Sequence, residues 1–586
     1  MGRITQLSDG ENTQGFDYDK VGRLVQQRQY RLNANGMVES QALHYHYDKN
    51  GNRTKLTLPN KDEIHSLYYG SGHLSAIKYN DSLITEISRG KLHQELARTQ
   101  GKLTTQFKRD PLGRLAQQLA VLESSHTPLV QRSYEYDLVG NLIQTQDKRF
   151  GTTNYRYDKL GQIQLAGQEL FHFDPAHNII ERESERIQNN QVTTYQGVTY
   201  RYDEFGNLSQ RTLPNGEVQS YAYNAKDKLV EVAIQKPNQT IERWQYQYDV
   251  LGRRISKRLE NQDNLQEFIW DGSHLVQEID HKTNRTYCYI YSHPNSYEPL
   301  AQLVFAKNSE KPTACTTYYY HNDQIGVPRE LTDEDGKLCW YGDYTGWGKL
   351  KDEYALVENI HQPFRLQNQY CDSETGLHYN FFRYYEPNVG RFTQLDPIGL
   401  AGGNNLYRFA KNTQRWTDPL GLNNWDGFMG ISSEWASCEI AKSKAYENMM
   451  VAAQMNPNKS TDGFEITFPI LGDEHAVGVN VTSELQSCVY YRSRDTIFSQ
   501  GTSEMIGGRY ITSSNLAMRT GETEYECAKT TTPSVRIRGI PVSYSGEFCS
   551  SPSGGFISTG PNLGIGKGRV GASKCTIRAH CQAVSN

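Results

Sequence analysis

The sequence predicts a mainly β fold: a long wall of short strands, then a separate, smaller α+β domain. Three observations carry this expectation. Tyrosine alone supplies 39 of 586 residues while all hydrophobic types together reach only 37%, a profile that suits extended β-surface better than a compact globule. A theme of aromatic, any residue, Tyr, Asp, two spacers and Gly recurs down the first half, with 21-residue intervals from Tyr136 to Tyr157 and from Tyr202 to Tyr223. Such a recurrent period marks a repeat array. Finally, the theme stops after Leu422, a compositional boundary that leaves 164 residues, enough for one further domain.

Residues 1–290 are read as the repeat wall. Copies run from Phe16-Asp17-Tyr18-Asp19 with Gly22, through Tyr45 to Asp48, Tyr134 to Asp137, Tyr155 to Asp158 and Tyr200 to Asp203, to Tyr246 to Asp249 with Gly252. Alternating aromatics predict a strand with one ring face inward, and Asp-x-x-Gly predicts a turn in which Gly supplies positive φ. One unit cannot bury its own face, so units stack edge to edge and curl into a shell that hides their edges. Met1 falls inside a repeat, since Gly-Arg closes the copies that follow, and the chain is read as a truncated or rearranged copy of a longer one. The N-terminus carries no hydrophobic signal core, and no apolar run approaches the ~18 residues that span a bilayer. Net charge is −4, which gives no whole-chain attraction to nucleic acid or membrane.

Residues 291–422 are read as closing the array and carrying its chemistry. Asp396-Pro397-Ile398-Gly399-Leu400 is followed 22 residues later by Asp418-Pro419-Leu420-Gly421-Leu422. Proline pushes each Asp out of the α region, and each Gly allows the backbone to reverse. The chain is expected to fold back and bring the two carboxylates together, where they share a proton and act as an acid–base pair. Arg391 is read either as a group that orients a carboxylate or polarises the scissile carbonyl, or as a plain salt-bridge partner.

The surrounding run is specific. It comprises Tyr319-Tyr320-His321-Asn322-Asp323-Gln324-Ile325-Gly326, Gln369 to Asn380 (with Gly376-Leu377-His378-Tyr379-Asn380), Arg383-Tyr384-Tyr385-Glu386-Pro387 and Gly390-Arg391-Phe392. Over residues 14–422 the chain resembles Rhs proteins, the YD-repeat polymorphic toxins of bacteria, departing from the pattern at Cys371 and Glu386. The resemblance implies a hollow β-shell (a cocoon) that sequesters a variable C-terminal toxin. It implies an aspartic self-protease with Asp396 and Asp418 as the catalytic pair and a cut after Leu422. It further implies delivery into a target cell by a contact-dependent apparatus such as type VI, through a spike or chaperone, and a cognate immunity protein. The rival reading is an extracellular Tyr-rich adhesin or carbohydrate-binding protein without catalysis.

Residues 423–586 are expected to begin with a helix from Ser432 to about Met455, followed by strands that include a hairpin between Gly463–Ile470 and His475–Val481. Six of the ten cysteines lie here, fitting either three disulfides or structural thiols, and their spacing matches no zinc site. Two enzymatic activities stay open, and a third, non-enzymatic reading is disfavoured by the absence of long amphipathic helices in the sequence. Cys438 near a helix start with His475 as base would make a cysteine peptidase or amidase. Arg492, Lys567, Arg569 and Arg578 would serve a phosphate- or nucleotide-directed enzyme such as an ADP-ribosyltransferase, for which Thr512-Ser513-Ser514 and Glu522, Glu524 and Glu526 follow in order. Residues 536–586 hold six Lys and Arg against one acid, Glu547, which favours phosphate contact. A non-enzymatic binding or pore-forming module is the third.

Overall fold

A computed structural model describes residues 3–422, apart from 10–11, 33–37, 71, 126, 183–184, 263, 295 and 307–314. Beyond 422 it describes the backbone of the strands between 425 and 583. The chain divides into two compact units, Met1–Ile431 and Ser432–Asn586. The first is β throughout: among its described residues the helical turns are two short 3-10 pieces, Gln188–Asn190 and Gly399–Gly402.

Two long antiparallel meanders make the wall. Sixteen strands from Gln6–Ser8 to Glu169–Leu170 form one sheet and fifteen from Thr194–Tyr195 to Leu350–Ala355 form the other, each strand paired with its neighbours in sequence. The Asp-x-x-Gly turn recurs with one chemistry. Asp137 Oδ1 accepts from the backbone N–H of Val139 and Asn141 at 3.0 and 2.8 Å, while Gly140 holds φ at 92°. The same pair of bonds returns at Asp19, Asp48, Asp158, Asp203 and Asp249. The carboxylate therefore closes each turn by capping its own backbone.

The tyrosine before that Asp has a role beyond packing. In four copies its hydroxyl crosses to the carbonyl that opens a preceding strand: Tyr47 to Leu24 at 2.8 Å, Tyr136 to Leu115 at 2.8 Å, Tyr157 to Leu142 at 2.7 Å and Tyr248 to Leu229 at 2.7 Å. This bond gives the hydroxyl a role in these copies that Phe could not fill. We expect Tyr157→Phe to lower stability by about 1 kcal/mol, the net value of one such bond, read as a shift in denaturant midpoint at unchanged slope. The expected ring burial is divided between two positions. Tyr200, the first aromatic of its copy, is buried, whereas Tyr202, the second, is half-buried and meets Tyr407 edge-on at 5.7 Å.

The two sheets share a core. Leu43, Leu56, Leu74 and Ile77 of the first join Ile269, Val276, Ile290 and Leu303 of the second in one apolar cluster. Buried ions tie the sheets beside it, with Glu330 of the second sheet meeting both Arg132 and Arg149 of the first. Residues 360–422 then pack on the second sheet. Asp372 takes Arg254 through both oxygens, at 2.5 and 2.9 Å, and Lys257 at 3.0 Å, while Arg211 pairs with Glu386. The departure Glu386 therefore has a buried partner of its own. The small sheet Tyr370–Cys371, His378–Asn380, Arg383–Glu386 and Arg391–Phe392 stands at this surface and positions the candidate site.

Among its described residues the second unit has a nine-stranded sheet, antiparallel at each described pairing. The expected hairpin is present, with Asp462–Ile470 pairing Asp473–Val481. The helix expected from Ser432 lies outside the described residues. The register sets Cys488 opposite Cys581, and Cys527 opposite Cys549 on one side and Cys575 on the other. No helix among the described residues is long and apolar enough to cross a membrane.

Candidate active site

The two Asp-Pro motifs do fold back onto each other, around a buried arginine. Strands His378–Asn380 and Arg383–Glu386 are joined by a two-residue turn, Phe381-Phe382, with Phe381 at φ 60°, a conformation uncommon for a bulky residue. This turn sends Arg383 inward. Its Nη2 lies 3.0 Å from Asp396 Oδ2 and 3.6 Å from Asp418 Oδ2. Its Nε donates to the Gly421 carbonyl at 2.5 Å, its Nη1 donates to the Leu406 carbonyl at 2.9 Å, and its plane lies over the Phe392 ring at 3.6 Å. Arg383, Asp396 and Asp418 are all buried.

Each Asp is built into its turn as the sequence suggests. Asp396 Oδ1 accepts from Ile398 N at 3.0 Å, and Gly399 follows at φ 57°. Asp418 Oδ1 accepts from the Leu422 N–H at 3.0 Å, so the second carboxylate grips the residue expected to precede the cut. Asn380 and Asn368 pin the second motif by donating to the Asp418 and Pro419 carbonyls at 2.8 and 2.6 Å. Leu422 itself is buried.

Burial pushes the Asp396 carboxyl up to about 6, and the neighbouring Arg383 guanidinium only partly offsets this. The largest cause is loss of water on burial. An acid held at about 6 is suited to protonating a reacting group near neutral pH.

Arg391 is not the cation at this pair. Its guanidinium bonds the Asn178 side chain and the Asn190 carbonyl and lies over the Tyr407 ring at 4.5 Å. It therefore holds the turn at 188–190 against the segment after Asp396. Sequence reasoning missed Arg383, although a signal existed: a lone cation at the start of the aromatic run Arg383-Tyr384-Tyr385 has to be paired once that run is buried.

The second-unit candidates are placed by backbone alone. His475 pairs in register with Phe468 and Ser493, Arg492 with Ala476 and Ile577, and Arg578 with Tyr491 and Glu524. The sheet therefore brings Arg578 beside Glu524, whereas Arg492 and the strand of Glu522 to Glu526 are separated by an intervening strand. Cys438, Lys567 and Arg569 lie outside the described residues. Among the described residues no cluster of metal-ligating side chains occurs.

Comparison with known proteins places this architecture. A family model described as Teneurin YD-shell matches residues 81–415. "Double-stranded DNA deaminase toxin A" of Burkholderia cenocepacia (strain H111) is 34% identical over 439 residues, covering 70% of this chain and 30% of that protein. "Toxin protein Tse5" of Pseudomonas aeruginosa is 28% identical over 495 residues, covering 72% of this chain and 37% of that one. The chain thus spans about a third of the length of these relatives. Among solved structures, the TcdB2-TccC3-Cdc42 crystal structure superposes with a TM-score of 0.56 at 18% identity, over 72% of this chain and 24% of that one. That likeness concerns the fold.

Proposed function

The chain belongs to the YD-shell family of Rhs-type polymorphic toxins, and from that premise we propose that it cleaves itself after Leu422 to free residues 423–586 as an enzymatic toxin. The observation that carries this reading is the shared guanidinium: Arg383 Nη2 stands at hydrogen-bonding distance from Asp396 and within 3.6 Å of Asp418, which in turn holds Leu422 N–H. Two buried carboxyls and the residue before the scissile bond therefore meet at one point.

The chemistry follows from these positions. Below about pH 6 Asp396 carries its proton and polarises the Leu422 carbonyl. Asp418 takes a proton from the attacking water. Arg383 fixes the Gly421 carbonyl and so the chain entering the scissile bond. The rate should then fall as pH rises through about 6, because the acid is lost. A quench-flow or cell-free time course between pH 5 and pH 8 checks the direction; a rate that rises over that range contradicts the assignment of Asp396 as the acid.

For the released segment we favour an enzyme acting on nucleic acid or nucleotides over a cysteine peptidase or amidase. The basic composition of residues 536–586 supports this choice, and the B. cenocepacia relative is by name a DNA deaminase toxin. The fragment would be delivered into a target cell by a secretion apparatus, with a cognate immunity protein protecting the producer. Inducible expression of residues 423–586 in bacteria, directed to cytosol or periplasm, should arrest growth in one compartment. Unimpaired growth in both would rule the toxin reading out.

A further inference from the structure

Of the glycines that follow the first Asp-Pro, Gly399 and Gly402 serve opposite purposes. Gly399 has φ of 57°, and a Cβ there would meet nothing within 4 Å, so its backbone conformation demands glycine while space does not. Gly402 shows the reverse. Its φ lies outside the left-handed region, yet a Cβ there would stand 2.1 Å from Asp396 Oδ2, 2.8 Å from Asp396 Cγ and 2.9 Å from the Leu422 carbonyl oxygen. Any residue could adopt this backbone; none but glycine leaves the space open. The carboxyl oxygen of Asp396 and the carbonyl oxygen of Leu422 thus both border the space that a side chain at residue 402 would fill. That oxygen of Asp396 is also the one facing Arg383 Nη2 at 3.0 Å.

We propose that Gly402 is a positioning residue for self-cleavage: its bare backbone lets the Asp396 carboxyl reach the Leu422 carbonyl. The inference rests on the self-cleavage reading and adds to it what sets the acid in line with its target. Water oxygen bonds to the Leu422 carbonyl carbon as its proton passes to Asp418 and the Asp396 proton passes to the carbonyl oxygen. The C–N bond to Asn423 then breaks, the Asp418 proton goes to the departing nitrogen, and one hydroxyl proton returns to Asp396. One water is consumed, both aspartates are restored, and the products are a carboxyl at Leu422 and an amine at Asn423. A methyl at residue 402 would occupy the line along which the first proton passes.

The test uses the full 586-residue chain, made by cell-free translation and sampled over time on denaturing gels. Gly402→Ala should cleave about 100-fold more slowly than the natural sequence, the scale of loss that follows from about 1 Å of misplacement. The residual cleavage should also show a pH midpoint displaced upward, because a methyl strips further water from Asp396; a purely structural role would leave that midpoint in place. Thermal midpoints supply a second, activity-independent readout. The destabilisation caused by Gly402→Ala should shrink when Asp396→Ala removes the carboxyl that the methyl meets. An equal drop in both backgrounds, or failure of both to fold, overturns the proposal. If Gly402→Ala cleaves at the natural rate while Asp396→Asn stays whole, the role of Gly402 is wrong and self-cleavage stands. If Asp396→Asn cleaves as fast as the natural chain, the reading beneath it is wrong as well.

Discussion

Asp396→Asn and Asp418→Asn should each leave the chain whole at 586 residues, where the natural sequence yields two fragments. Asn keeps the shape of the side chain and can still accept a bond through its amide oxygen from Ile398 N in one motif or Leu422 N in the other. What it loses is the exchangeable acid proton at Asp396 or the proton acceptor at Asp418. Removing one member of a catalytic pair that acts as a unit abolishes most of the rate, so the combined variant should be no slower than either alone. The fold should persist, since both sites keep their turns. Normal processing in either variant would return both motifs to plain turn duty.

Arg383→Met should have the second largest effect, and on two observables at once. The guanidinium is buried, bonds two carbonyls and stands between two buried carboxylates. Methionine fills similar volume but leaves those charges without a cation. Breaking a buried ion pair from one side costs about 3–5 kcal/mol, which should appear as a large fall in denaturant midpoint. Cleavage should also stop, because the Gly421 carbonyl is released. The Asp396 carboxyl would move further up from about 6, since Arg383 is the largest of the influences that lower it, ahead of the Ile398 N–H. The sign of the stability effect follows from that. A carboxyl whose folded pKa is raised stabilises the fold most below its unfolded value, and this contribution is lost as pH rises through the folded one. The deficit of Arg383→Met should therefore widen from pH 4 to pH 7. A deficit that narrows with rising pH would mean that Arg383 is not the partner of Asp396.

What could be read from the sequence follows the range of the interactions. Asp-x-x-Gly turns are closed by the Asp side chain on its own next four residues, so residue identity alone discloses them. The hairpin at 462–481 was legible for the same reason, since two strand-like runs flank a short turn. The Asp396 and Asp418 pair was legible because the motif is duplicated. Its cation was not. Arg391 is nearer in sequence to Asp396, yet it is drawn to Asn178 and Asn190, more than 200 residues back, whereas Arg383 is turned inward by Phe381-Phe382. The tyrosine hydroxyl bonds were missed for a different reason. Periodicity places an aromatic on a face, but only the strand register shows that its hydroxyl reaches the carbonyl opening a preceding strand.

The central claim is that this geometry cuts the chain at one bond, and the most direct measurement is the mass and N-terminal sequence of the products from the freshly translated natural chain. Fragments of 422 and 164 residues are expected, the smaller beginning Asn423-Asn424-Trp425, and neither fragment from Asp396→Asn. A natural chain that stays at 586 residues under conditions where the shell is folded, or a cut at any other bond, would contradict it.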